Sequence, residues 1–125
     1  MKKILLSIVV LIGISLSAFA QEKSSKEKKG DKFYFIHAYD NAINKYSRTK
    51  NLTVPGQRNL AESYRILKEN EKSEETYAKL INVGHELNAE DYYNYAMVLK
   101  CSEKYGESDI QMTKFSNQKP SDLPA

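Results

Sequence analysis

The sequence predicts an all-α fold of about three helical hairpins stacked as a short solenoid. Two observations carry this. Apolar residues recur at helical spacing in paired segments of about a dozen residues, and the same pair of segments appears three times. A third observation agrees with them: the chain's three Pro stand only at segment edges, at Pro55, Pro120 and Pro124, never inside a periodic run. At 125 residues the chain has room for one small domain. Its mean hydropathy of −0.61 is that of a water-soluble body once the amino terminus is set aside.

Residues 1–20, MKKILLSIVVLIGISLSAFA, read as an export signal. Lys2 and Lys3 give a positive start, Ile4 to Ile14 an apolar core, and Ala18-Phe19-Ala20 the small residues that a processing peptidase requires before Gln21. The alternative, a membrane-anchoring helix, is disfavoured because the apolar run is short for a span of roughly 20 residues. No Cys lies at the cut to take a lipid. The expectation is a chain released into the periplasm, with outer-membrane association as a further expectation. Removing Lys2 and Lys3 takes the basic count from 19 to 17 against 16 acidic residues, so the net charge falls from +3 to +1. That balance and the export signal together disfavour nucleic acid as a partner.

Residues 21–29 form a Lys-rich lead-in without an apolar face, read mainly as solvated chain whose last turn enters the first helix. Lys26, Lys28 and Lys29 give it at most a peripheral affinity for an anionic membrane surface. The repeat domain is expected over 30–119. In its first hairpin Phe33 and Ile36 mark one helix, His37 to Asp40 the turn, and Tyr39, Ala42, Ile43 and Tyr46 the second helix. The linker Asn51 to Gly56 breaks the pattern, with Pro55 suited to the first turn of the next helix. Asn51-Leu52-Thr53 matches a glycosylation sequon, a three-residue match frequent by chance.

The second hairpin, Asn59 to Leu80, is the clearest. Leu60, Ala61, Tyr64 and Leu67 share one face, a polar break follows at Lys68 to Glu71, and Ser73, Tyr77, Leu80 and Ile81 share the next. The third follows Gly84 to Asn88. Glu90 and Asp91 favour its helix start, Tyr92, Tyr95, Ala96 and Leu99 form one buried face, and Tyr105, Ser108, Met112 and Phe115 the other. Residues 120–125 are a tail with no pattern.

Aligned on their turns, the hairpins carry small residues at Gly30, Ala61 and Ala96, spaced 31 and 35 apart. A large residue follows three later at Phe33, Tyr64 and Leu99. The second helices carry small Ala42, Ser73 and Ser108, then bulky Tyr46, Tyr77 and Met112. This pattern resembles the tetratricopeptide repeat, in which small side chains let two helices approach and large ones fill the space between repeats. The usual early Trp is missing, Asn70 replaces the middle aromatic, and the first repeat has Lys where Leu is usual. A second resemblance covers the whole chain. The signal, the Lys-rich lead, YDNAINKY, NLAESYR and DYYNYAMVLK together resemble the amino-terminal repeat region of flavobacterial outer-membrane-protein-A-like (peptidoglycan-associated) proteins, some of which serve type IX secretion. That resemblance implies either a stand-alone module or a truncated copy without independent activity. Peptidoglycan binding does not carry over, because the domain responsible lies beyond the matched region.

The sequence has no Gly-rich phosphate loop, no CxxC pair and no HExxH. His37 and His85 fall at breaks, and His85 with Glu86 makes a poor metal shell. Cys101, the only Cys, reads as a half-buried small hydrophobe, with an intermolecular bridge as the sharper alternative. No enzyme activity, cofactor or metal is expected. The expected function is a non-catalytic protein–protein interaction module of the cell envelope. On the repeat template Tyr34, Arg58, Glu62, Arg65, Tyr93, Met97 and Lys100 fall on the inner side of the first helices, where flat aromatics beside Arg suit an extended peptide segment. The expected partner is an envelope or secretion protein or a downstream domain of the same protein. A second copy of the chain is a further candidate.

Overall fold

A computed structural model describes residues 22–118. Among the described residues six α-helices follow one another: α1 Ser25–Phe35, α2 Tyr39–Ser47, α3 Val54–Ile66, α4 Asn70–Val83, α5 Ala89–Cys101 and α6 Tyr105–Gln118. No strand occurs among the described residues. The heaviest packing is within the pairs α1–α2, α3–α4 and α5–α6, so the chain is all-α and built of three helical hairpins. Each hairpin touches only its neighbour in sequence. Within the described residues α2 meets α3, α4 meets α5, and the first helices meet one another as α1–α3 and α3–α5. Residues 1–20, expected to be an export signal, and Pro120 and the tail lie outside the described residues.

The three hairpins turn in the same way. The N–H groups of Ala38, Glu69 and Lys104 donate to the carbonyls of Phe33, Tyr64 and Leu99, each at 2.9 Å. The residue before each donor takes a positive φ: 62° at His37, 63° at Lys68 and 61° at Glu103. This is the left-handed closure that ends many helices, where glycine is the usual occupant. Here none of the three is glycine. The turns therefore sit at 36–38, 67–69 and 102–104, and Tyr39 belongs to α2 rather than to a turn.

The small residues do what the spacing predicts. Ser73 Oγ donates to the Ala61 carbonyl at 2.9 Å, and Ser108 Oγ to the Ala96 carbonyl at 2.7 Å, so second and first helices touch at matched points. In the first hairpin the pair is Ala42 and Gly30. A Cβ on Gly30 would lie 2.7 Å from the Tyr46 ring, so only glycine lets that ring lie flat on α1. The core fills each of the first two hairpins and reaches one residue into the next. Leu60 packs with Ala42 and Tyr46, while Val98 packs with Val54, Ala61, Tyr77 and Leu80. Covering Leu60, Leu80 or Val98 contributes roughly 1.5–3 kcal/mol each.

Several expectations are corrected. Ile36 is 67% exposed, because it falls in the turn rather than on the buried face of α1. Tyr105 is 58% exposed, because it opens α6 ahead of the stretch that packs on α5. Cys101 is exposed at the last turn of α5, not half-buried. The lead-in is helical from Ser25, capped by Ser24 Oγ on the Glu27 N–H at 3.1 Å. Within it Glu27 is completely buried, for the reason given next.

Candidate functional site

Glu27 and Arg58 hold the same place in successive first helices, and each fastens the start of the next one. Glu27 Oε1 accepts from the Thr53 N–H at 2.8 Å and Oε2 from Thr53 Oγ1 at 2.6 Å. Thr53 in turn caps α3 by accepting from the Gly56 N–H at 3.3 Å, with Pro55 in the first turn. A buried carboxylate is tolerated because it is fully bonded and faces the positive end of a helix. Arg58 donates from Nε and Nη2 to the two oxygens of Asp91 at 2.7 and 2.9 Å, and from Nη2 to the Glu86 carbonyl at 2.8 Å. Asp91 is itself bonded by the Asn88 N–H at 2.7 Å, at the amino end of α5. Bonding to Asp91 raises the Arg58 pKa, against the opposing effect of burial. Arg58 is thus a fastener between hairpins two and three, engaged before any ligand arrives.

Asp31 and Glu62 likewise share one position, and each accepts from a tyrosine of its own hairpin's second helix. Tyr46 donates to Asp31 Oδ1 at 2.6 Å and Tyr77 to Glu62 Oε2 at 2.8 Å. Arg65 adds a two-point bond to Glu62, at 2.8 Å from Nε and 2.5 Å from Nη2. Burial would raise the Glu62 carboxyl, but the bonds from Arg65 and Tyr77 outweigh it and hold it below the ordinary value. In the third hairpin both members of the pair are methionine, Met97 and Met112, so the polar bond is replaced by an apolar position.

The remaining expected groove residues divide into two groups. Tyr34, Glu62 and Arg65 come together. Tyr34 is half-buried and meets Tyr39 edge-on at 5.8 Å. Burial raises its phenol, followed by the nearby charge of Glu62. Lys100 is exposed in α5 at the position that Tyr34 holds in α1 and Arg65 in α3. Tyr93 leaves the set: it leans on Phe115 of α6 with ring centroids 5.3 Å apart. Met97 is half-buried. One residue further on, Phe35, Ile66 and Cys101 form a parallel apolar row, with Phe35 85% exposed.

What sequence reasoning missed is Glu27. Its partner Thr53 is 26 positions away, and the only local hint is an acid standing in a Lys-rich stretch. Among the described residues no group of three or more His, Cys, Asp or Glu is placed to hold a metal ion. His37 Nδ1 lies 2.7 Å from the Tyr39 hydroxyl, and His85 is exposed at the α4–α5 linker. No helix among the described residues is long and apolar enough to cross a membrane. Neither protein-family models nor curated proteins give a match to this chain.

Proposed function

We propose that this chain is a non-catalytic helical-repeat module, of the tetratricopeptide kind and exported to the periplasm, that holds an extended segment of another envelope protein. The observation that supports it is the register of Tyr34, Arg65 and Lys100. One such residue stands at the same place in each first helix, beside the row Phe35, Ile66 and Cys101. An aromatic, a guanidinium and an ammonium along one line, flanked by apolar side chains, fit a segment with apolar residues and an acidic group opposite Lys100. Arg58, Glu62 and Tyr93 drop out of the direct contacts. Glu62 keeps a positioning role, because it fixes the Arg65 guanidinium.

The test is retrieval of a partner from the periplasmic and envelope fraction by tagged residues 21–125. Arg65→Gln with Lys100→Glu should lose that partner while helicity is retained. Equal retrieval by the variant, or none by the unaltered chain, would contradict the proposal.

A further inference from the structure

We propose that the outward face of α1 docks the protein on an anionic phospholipid surface. This surface adjoins the Tyr34–Arg65–Lys100 line and shares Phe35 with the apolar row beside it, but its charge comes from different residues, Lys28, Lys29 and Lys32. At roughly 3.6 residues per turn, Lys28, Lys29, Lys32 and Phe35 fall on one side of α1, opposite the buried Glu27 and Gly30, and Ile36 follows at the helix's C-cap. All five are exposed, with Phe35 at 85% and Ile36 at 67%. Among the described helices α1 is covered by α2 and α3 alone.

The later hairpins show what this face is not. Leu60 and Tyr95 stand where α1 has Lys29, and Ser63 and Val98 stand where it has Lys32. Leu60, Ser63 and Val98 are buried and Tyr95 half-buried, in helices that each follow another hairpin. A hairpin laid on α1 in the same manner would bury two ammonium groups without partners, at a heavy desolvation penalty. So neither another repeat nor a second copy in the same register fits. Whatever meets this face must leave the ammonium groups wet or oppose them with anions, while accepting two apolar side chains.

Charge narrows it further. Residues 22–52 carry eight Lys or Arg against four Asp or Glu, whereas residues 53–118 carry eight against eleven. Two of the four acids do not offset the face: Glu27 is buried on Thr53, and Asp31 is bonded to Tyr46 and Lys23. Lys28, Lys29 and Lys32 form no ion pair among the described residues. The net excess of positive charge thus lies in the hairpin that bears this face. A single convex helix has no groove for a peptide, but it fits a plane of phosphates. The lysine stems would lie along that plane with their ammonium groups among the headgroups. Phe35 and Ile36 would enter the acyl boundary.

The chain has no Trp, so Phe35→Trp in residues 21–125, the form expected after export, gives a reporter at the anchor itself, and Ile110→Trp on α6 gives a control at the other end. The indole at position 35 should shift to the blue, and be quenched by brominated lipid, on vesicles containing phosphatidylglycerol but not on phosphatidylcholine alone. The indole at position 110 should stay unshifted. Adding Lys28→Gln, Lys29→Gln and Lys32→Gln should weaken vesicle affinity by on the order of a hundredfold, about fivefold per lysine. Salt near 1 M should abolish the response. No shift at position 35 on anionic vesicles overturns the proposal, as does an equal shift on neutral ones or at position 110. A shift produced by soluble polyglutamate but not by vesicles would assign the face to an acidic protein instead.

Discussion

Tyr77 donates its hydroxyl to Glu62 Oε2 at 2.8 Å, and 31 residues earlier Tyr46 makes the same bond to Asp31 at 2.6 Å. Both rings are completely buried, and both join the second helix of a hairpin to its first. The bond is therefore a repeated component of the fold. It also fixes the carboxylate that orients Arg65, so the architecture and the proposed binding face share one group.

That bond gives the protein an alkaline limit. Burial, reinforced by the acidic partners, raises both phenols well above the ordinary value of 10.0. Protonated tyrosine is the form favoured in the folded state. The stability it contributes is complete below pH 10.0 and is lost as pH rises towards the elevated folded values. Phenolate absorbance should show Tyr46 and Tyr77 ionising only as helicity collapses. Tyr77→Phe should cost about 1–2 kcal/mol at neutral pH and move the alkaline collapse upward. Titration of all nine tyrosines before any loss of helicity would refute the assignment.

Breaking the Arg58–Asp91 pair should do more damage than breaking a surface pair. Asp91 is 2% exposed in its side chain and would be left without its cation. Arg58→Met should lower stability by roughly 3–5 kcal/mol. Lys79→Met, which removes the exposed bridge to Glu75, should change it by under about 1 kcal/mol. Thermal or denaturant unfolding of the two variants compares them directly.

Two glycines should respond oppositely to the same substitution. Gly30→Ala places a methyl 2.7 Å from the Tyr46 ring and should destabilise by about 1–3 kcal/mol. Gly106→Ala meets nothing within 4 Å and should stabilise α6 by about 0.5–1 kcal/mol. Equal effects in denaturant unfolding would place α2 wrongly on α1.

The turns offer a gain in stability. Lys68 holds a left-handed conformation that glycine adopts without strain, so Lys68→Gly should stabilise by about 0.5–1 kcal/mol after the entropy of the added glycine is discounted. A loss on unfolding measurements would count against the turn geometry.

The fold was largely legible in the sequence because its main contacts are local. Gly30, Ala61 and Ala96 are small, Tyr46 and Tyr77 are large, and each pairs with a residue within its own hairpin, so periodicity reports them. What was not legible depends on distance or on backbone. Glu27 reads as one more charge in a solvated lead until Thr53 is folded against it. Arg58 looks free until Asp91 arrives from the next hairpin. His37, Lys68 and Glu103 carry no compositional sign of a left-handed turn, and Tyr105 and Ile36 fit a helical pattern that continues a residue or more past the packed surface. Tyr34, Arg65 and Lys100 emerged from the repeat register, whereas the loss of Tyr93 to Phe115 required the packing of α6 on α5.

The most direct measurement is site-specific photo-crosslinking in the native envelope, with the photoreactive residue placed in turn at position 65, at position 100 and at position 79 on the exposed side of α4. The binding-face account predicts that positions 65 and 100 capture the same protein and that position 79 does not. Capture from position 79 as strong as from the other two, or none from any, would contradict it.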